Sequence, residues 1–200
     1  MNKTYIFFIL LFYLITSSFA IKNETVRHVD DTIVQSIEGV RNDPFTSIMF
    51  FFTEIGSYHI LLPVTIFISI YYIFRKKWIT FIILYINLYG VRWMNEMIKE
   101  MVKRERPDFD RLTDISGYSF PSGNTMNSTA VYGLIAYLIS TRIKKGKRVV
   151  FAVSSILCLL IGLSRIYLGV HYLTDVLAGF AVGLCWLMFI LTISEKVRQK

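Results

Sequence analysis

The sequence predicts an all-α protein, a bundle of six transmembrane helices, and three observations indicate it. Hydrophobic residues make up 54% of the 200 residues and the mean hydropathy is +0.51, more apolar surface than a small soluble core needs. Several apolar runs approach the length of roughly 20 residues that crosses a bilayer. Lysines and arginines cluster at the ends of these runs, where anchoring at a membrane surface explains the net charge of +8 better than nucleic-acid binding.

Residues 1–21 contain the first apolar run, which begins at Tyr5 after Lys3 and ends in small residues. It is either a cleavable secretion signal or a retained first span that anchors the chain. Retention is favoured, because five further runs then give an even number of spans and bring both basic ends of the chain to one side.

The segment 22–56 is mixed in composition. Apolar residues recur at helical spacing over residues 29–40, and Asp30, Asp31 and Glu38 lie opposite them. This pattern predicts either a helix lying at the membrane interface or an ordinary connecting helix that covers the bundle.

The rest of the chain, residues 57–200, carries the other five predicted spans. Basic stretches at 75–77 and 142–148 interrupt it, and the third span turns polar at Arg92. The chain is therefore predicted to be one membrane-embedded domain. The five spans are residues 58–74, 78–92, 126–141, 149–168 and 176–193.

The distribution of lysine and arginine predicts the topology. Lys3, the two basic stretches and the C-terminal tail fall on one face, which the positive-inside rule makes cytoplasmic, with both termini. The extracytoplasmic face receives residues 22–56, 99–121 and 165–175. Cations on that face break the rule, so we expect them to have a function other than orientation.

Lys99 and Arg106 are the first such cations. On a continuing helix ended by Pro107 they share one face, roughly 10 Å apart. Two cations on one face suit a polyanion, because arginine's planar fork matches phosphoryl oxygens. The alternative is a solvated basic helix end, since Lys103 and Arg104 lie between them.

The residues Pro-Ser-Gly-Asn at 121–124 precede the fourth predicted span. Backbone N–H groups at such a helix start bind anions, and Gly123 allows close approach. The alternative is an ordinary N-cap, for which Ser122 or Asn124 is a frequent residue.

His171 and Asp175 are four residues apart, which on a helix brings the carboxylate to the imidazole and leaves the other ring nitrogen exposed. An oriented imidazole is a base or a nucleophile. Arg165 ends an apolar run, where a charge must be paired or lie at the membrane edge.

Together these residues resemble the three-part signature of the type 2 phosphatidic acid phosphatase superfamily. The chain reads K-x6-R-P from Lys99, P-S-G-x from Pro121 and S-R-x5-H-x3-D from Ser164, in the order and spacing of that family. The six-span layout resembles its bacterial membrane members, the phosphatidylglycerophosphate and undecaprenyl pyrophosphate phosphatases.

The resemblance implies a lipid phosphatase with an extracytoplasmic active site in the cell membrane. His171 would attack phosphorus to form a phosphohistidine, and Asp175 would orient it. The partner would be a lipid phosphate in the bilayer, such as undecaprenyl pyrophosphate or phosphatidylglycerophosphate, with no metal, other cofactor or nucleic acid. The phosphoryl oxygens would be held by Lys99, Arg106, Ser122, the Gly123 backbone and Arg165.

One position departs from the family pattern. The family has a histidine that protonates the leaving group where this chain has Asn124. Asparagine is not a proton donor, so general acid catalysis, typically worth about 10²–10⁴ in rate, is expected to be largely lost. A pyrophosphate leaving group would suffer less. The intact remainder of the signature favours an introduced substitution over natural impairment.

Four alternatives remain. Asn124 is the argument for an inactive protein that binds lipid phosphate. A transporter is disfavoured, because the charges gather at one face and the halves show no repeat. A metal-dependent phosphatase could use Asp108, Asp110 and Asp114, although these acids are more typical of a solvated loop. Soluble vanadium haloperoxidases share the motifs, but this chain is too short and too apolar.

Overall fold

The structure, a computed structural model, describes residues 12–13 and 16–198. All regular structure in these ranges is helical, including the short stretch 16–20. Most of the predicted first span lies outside the described residues. The helices that follow are α1 (Glu24–Glu38), α2 (Asp43–Ile55), α3 (Tyr58–Phe74), α4 (Trp78–Val102), α5 (Gly123–Ser140), α6 (Lys147–Tyr167) and α7 (Leu173–Arg198).

The five predicted apolar runs that follow residue 57 are recovered as helices. α3 coincides with the predicted run 58–74, and α5, α6 and α7 each begin within three residues of the predicted starts. α4 begins at Trp78 as predicted but continues beyond Arg92 to Val102. The all-helical fold class is confirmed for the described part of the chain.

The helices have the dimensions of a membrane protein. By length and composition, α6 and the portion Leu173–Lys196 of α7 can each cross a bilayer. α2 and α3 together, bent by 48°, would make a third crossing. Large apolar side chains such as Phe67 and Phe74 point outward from the bundle, 77% and 82% exposed, as lipid-facing residues do.

α5 is the central helix and packs against α3, α4, α6 and α7. Its contact with α7 is close because Gly179 and Gly183, four residues apart, face it. A Cβ added at Gly183 would lie 2.7 Å from the carbonyl oxygen of Met126. This contact also joins the helix starts, where Ser122 N–H donates to the carbonyl of Asp175 at 3.0 Å.

α1 and α2 cover the outside of this bundle. Val34 of α1 is fully buried against Ile166 and Val176. Of the two predicted alternatives, this burial favours a connecting helix that covers the bundle over a helix lying at the membrane interface. The prediction that Asp30 lies on the polar face of this helix is wrong, because Asp30 is only 1% exposed. α2 packs along α6 and buries Thr53.

α4 ends before Arg106, which contradicts the predicted shared helical face of Lys99 and Arg106. Lys103 adopts the left-handed conformation with φ of 52°, and its N–H donates to the Lys99 carbonyl as a C-cap. The helix therefore stops ahead of Pro107, and Arg106 belongs to the loop that leads to α5.

Candidate active site

The predicted site residues lie where the C-terminal ends of α4 and α6 meet the N-terminal ends of α5 and α7. The loop between α4 and α5 closes this region. Most of these side chains are buried, which is unusual for charged groups unless they are paired or functional. The residues concerned are Lys99, Arg106, Ser122, Gly123, Asn124, Arg165, His171 and Asp175.

His171 lies in the turn before α7, with its two ring nitrogens in opposite environments. Nδ1 is 3.4 Å from Oδ2 of Asp175, so the predicted pairing is confirmed. Nε2 is 3.1 Å from Nη1 of Arg106. A guanidinium only donates, so Nε2 is the acceptor and Nδ1 carries the hydrogen. The predicted exposure of the second nitrogen is wrong, because His171 is 2% exposed.

The environment of His171 keeps the imidazole neutral. Burial lowers its pKa to about 3, and the positive charges of Arg165 and Arg106 act in the same direction, against Asp175. A neutral imidazole with an unprotonated Nε2 has the lone pair that a nucleophile needs.

Asp175 is held in the first turn of α7 by several donors. Its Oδ2 accepts the backbone N–H of Tyr172 at 2.9 Å and the hydroxyl of Ser119. The same hydroxyl oxygen is 3.3 Å from Nδ1 of His171. The other oxygen, Oδ1, accepts Nη1 of Arg104 at 2.7 Å. Asp175 therefore presents one oxygen to the histidine and the other to an arginine.

Arg104 is not part of a solvated helix end, which was the alternative for this basic stretch. Nη2 donates to Oδ2 of Asp30 at 2.8 Å, and the guanidinium carbon lies 4.0 Å from the centre of the Tyr172 ring. Burial opposes its charge, but the carboxylates of Asp175 and Asp30 outweigh burial and raise the pKa of Arg104. Sequence reasoning missed both Asp30 and Arg104.

Arg106 is fully engaged by the protein. Its N–H groups donate to the carbonyls of Gly117 at 3.0 Å, Val170 at 2.8 Å and residues 116 and 118, as well as to His171. Arg106 thereby joins the loop before α5 to the turn that carries His171. Burial lowers its pKa, since the charged form loses hydration.

Arg165 lies near the end of α6 and is 5% exposed. Nη1 donates to the hydroxyl of Thr53, whereas Nε is buried and has no acceptor within the part of the chain that the structure describes. Asn124 Nδ2 donates to the carbonyl of Thr53 at 3.0 Å. Thr53 thus links two predicted site residues, and no sequence signal marks it. The buried, unpaired Nε–H of Arg165 suits an anionic ligand.

Lys99 adds a third cation to this region. Its Nζ is 3.6 Å from Oε1 of Glu96, and the positive charges of Arg106 and Arg165 are close enough to repel its own charge.

The start of α5 supplies the remaining predicted residues. Ser122 is the N-cap residue of α5, but its side chain makes no capping hydrogen bond. Its own N–H is occupied by Asp175, so the backbone N–H groups that could meet an anion begin at Gly123.

A cavity of about 450 Å³ adjoins the site. Arg104 and Arg106 form part of its wall, together with three further cations and three acids. Its excess of positive charge suits an anionic group. The charged lining residues are Lys22, Arg27, Asp31, Lys103, Arg104, Glu105, Arg106 and Asp108.

The acids of the metal-loop alternative are not gathered together. Asp110 faces Arg41, with 3.6 Å between Oδ2 and Nη1, and its side chain is 70% exposed. Within residues 12–13 and 16–198 there is no group of three or more His, Cys, Asp or Glu side chains arranged to hold a metal ion.

Comparison with known proteins identifies the family. A family model described as the PAP2 superfamily matches residues 78–199, more than half of the chain. The chain belongs to the PAP2 superfamily. The resemblance drawn from the three motifs is therefore confirmed. The PAP2 match begins with α4, so Asp30 and Thr53 lie in the part of the chain that precedes it.

Individual PAP2 relatives cover nearly the whole chain. Phosphatidylglycerophosphatase B of Bacillus subtilis is 34% identical over 194 residues, which is 94% of each protein. The undecaprenyl-diphosphatase of Sulfolobus acidocaldarius is 26% identical over 95% of this chain and 91% of its own. The crystal structure of a transmembrane PAP2-type phosphatidylglycerolphosphate phosphatase from B. subtilis has a TM-score of 0.92 at 32% identity, covering 96% of this chain and 98% of that one.

Proposed function

We propose that this protein is a membrane phosphatase that transfers the phosphoryl group of a lipid phosphate to His171 and then to water. PAP2 membership and the near full-length similarity to two lipid phosphatases support the reaction class. One observation carries the mechanism. His171 is buried, with Nδ1 3.4 Å from Oδ2 of Asp175 and Nε2 3.1 Å from Nη1 of Arg106, a group that can only donate to it.

In the proposed first step, Nε2 of His171 bonds to phosphorus and the P–O bond to the leaving group breaks, with its electron pair departing on that oxygen. This bond is the ester bond of a phosphomonoester or the anhydride bond of a pyrophosphate. Arg106 Nη1 exchanges its contact with Nε2 for a phosphoryl oxygen, and Arg165 supplies its unpaired Nε–H. Lys99 adds a third positive charge. Donors aimed at the developing charge in a water-poor site are the main source of rate in phosphoryl transfer. The Ser122 hydroxyl and the Gly123 backbone bind the remaining oxygens.

Asn124 limits this reaction in the present chain. The departing oxygen needs a proton when it is an alkoxide, and the amide of Asn124, which donates to Thr53, does not supply one. The chain is therefore impaired for phosphomonoesters. A pyrophosphate loses less, because the departing phosphate is stable without protonation.

The proposed substrates are phosphatidylglycerophosphate and undecaprenyl pyrophosphate. Each corresponds to a relative of nearly full length. The chain forms one six-span domain, residues 1–200, in the cell membrane, with cytoplasmic termini and an extracytoplasmic site. The basic stretches that fall between the helices support this orientation. An acyl or prenyl tail would remain in the bilayer while the head group reaches the cations.

A second function is favoured by Asn124 alone: a protein that binds lipid phosphate without hydrolysing it. Its amide donates to the Thr53 carbonyl instead of presenting an acidic proton to a leaving group. Such a protein would keep the cationic site and lose turnover. Binding and hydrolysis must therefore be measured side by side.

The deciding experiment is phosphate release in detergent, with a chelator present, by this chain and by Asn124→His. The substrates are phosphatidylglycerophosphate, phosphatidic acid and undecaprenyl pyrophosphate. We expect Asn124→His to accelerate hydrolysis of the two monoesters by about 10²–10⁴, and of the pyrophosphate by less. Adding His171→Ala to that variant should abolish release. If Asn124→His binds the lipids but releases no phosphate, the enzyme proposal is wrong and the binding function stands.

A further inference from the structure

We propose that Asp30 and Arg104 are positioning residues that set the charge of Asp175 opposite the reacting His171. The inference rests on the proposed phosphohistidine reaction. It assigns a role to α1, which lies outside the part of the chain that the PAP2 model matches.

The four side chains form one buried series of charged contacts. Asp30 Oδ2 accepts Arg104 Nη2 at 2.8 Å, Arg104 Nη1 donates to Asp175 Oδ1 at 2.7 Å, and Asp175 Oδ2 lies 3.4 Å from Nδ1 of His171. The exposed fractions of the Asp30, Arg104 and Asp175 side chains are 1%, 10% and 0%. Little solvent screens these charges, so each one acts strongly on the next.

Secondary contacts fix the geometry of this series. Thr174 accepts Arg104 Nη1 at 2.7 Å, and its hydroxyl and its N–H both donate to the carboxylate of Asp30. The ring of Tyr172 lies against the guanidinium. Tyr172 and Thr174 flank Leu173 at the start of α7, so they attach Asp30 and Arg104 to the same turn that holds Asp175.

The charge balance explains why Asp30 is needed. Arg104 alone would neutralise Asp175 and leave it little influence on the imidazole. With Asp30 the three groups carry one net negative charge. That charge matters during the reaction, because His171 becomes cationic when its Nε2 lone pair bonds to phosphorus and the P–O electron pair leaves with the departing oxygen. Arg106 and Arg165, which also act on His171, oppose this positive charge.

Orthovanadate tests the idea without turnover, and so independently of Asn124. Vanadate accepts the Nε2 lone pair of a histidine and leaves the ring cationic, whereas inorganic phosphate occupies the same cations without forming that bond. We expect Asp30→Asn to weaken vanadate binding by about tenfold, the lower end of the range for groups that orient a coordinating histidine. Phosphate affinity should change by less than about threefold.

The double variant separates charge positioning from a structural role. In an Asp175→Asn background, Asp30→Asn should have almost no further effect on vanadate affinity, because its influence passes through Asp175. Glu24→Gln, which removes an exposed acid from the same helix, is the matched control and should leave both affinities unchanged. Thermal unfolding of each variant monitors folding.

Three results would overturn the inference. Asp30→Asn could leave the vanadate affinity unchanged, or it could lower the phosphate affinity as much as the vanadate affinity. It could also lower the vanadate affinity by the same factor with and without Asp175→Asn. The proposed function fails differently: in that case His171→Ala would bind vanadate as tightly as the unaltered chain does. That outcome removes the covalent reaction and the inference with it, so the two failures are distinguishable.

Discussion

Replacing Arg104 by glutamine should be among the most destabilising single changes in the loop that follows α4. The arginine is the common partner of two buried carboxylates, Asp30 at 2.8 Å and Asp175 at 2.7 Å. Removing one member of a buried ion pair typically costs about 3–5 kcal/mol, because the remaining charge stays buried without compensation. For a chain of this size that corresponds to a fall in melting temperature of roughly 6–20 °C.

The assay is thermal unfolding of the purified protein in detergent at neutral pH. Lys103→Gln is the matched control, because it removes a neighbouring but exposed positive charge and should shift the melting temperature by no more than about 2 °C. Adding Asp30→Asn to Arg104→Gln should recover part of the loss, since it removes one of the two orphaned charges.

The reasoning is refuted if Arg104→Gln is no more destabilising than Lys103→Gln. That result would mean that water or an ion reaches the two carboxylates and compensates them. Strict additivity of Arg104→Gln and Asp30→Asn would equally contradict the coupling described here, because it would mean that the two residues stabilise the fold independently.

Two further predictions concern Thr53 and His171. Thr53→Val should weaken the binding of inorganic phosphate by about 10-fold or more, because Arg165 loses the hydroxyl that positions it. Thr53→Ser keeps that hydroxyl and should bind phosphate normally. Calorimetry that finds the same phosphate affinity for the two variants would contradict this role of Thr53. Burial lowers the pKa of His171 to about 3 in the folded protein, against about 6.5 in the unfolded chain, so between these values only the unfolded chain takes up the proton. The free energy of unfolding should therefore fall as the pH drops below about 6.5, by up to ~1.4 kcal/mol per pH unit. Denaturation of His171→Gln between pH 7 and 5 should show a shallower pH dependence, and equal slopes would exclude a buried neutral imidazole.

Helix positions were largely predictable because they follow from local sequence. The run 58–74 became α3 at both predicted ends, since the apolar residues begin at Tyr58 and the basic residues from Arg75 end the run. The end of α4 was mispredicted for a reason that is not local. Pro107 is the strongest stop signal in that stretch, but Lys103 already turns the chain into the left-handed conformation, and Arg106 is then held by carbonyls of the loop and by Val170.

The motif residues of the candidate site were predictable from the sequence, but the residues that hold them in position were not. His171 and Asp175 were predicted to meet on one helix; they do meet, but α7 begins at Leu173, so His171 reaches Asp175 from the turn before that helix. Ser119, two residues before the Pro-Ser-Gly-Asn motif, was within reach of sequence reasoning, although nothing singled it out. Asp30 and Thr53 carried no signal, since one belongs to an amphipathic pattern and the other is an ordinary polar residue in an apolar run.

The sequence by itself determined the membrane class, the helices and the family, because apolar run length, breaker residues and motif spacing are properties of neighbouring residues. Only the tertiary structure decided which charges neutralise one another. Asp30 and Arg104 are 74 residues apart in the chain and Thr53 and Arg165 are 112 apart. Such pairs form because burial makes an unpaired charge or donor costly, so the partner is whichever group packing brings near, and local sequence carries no record of that choice.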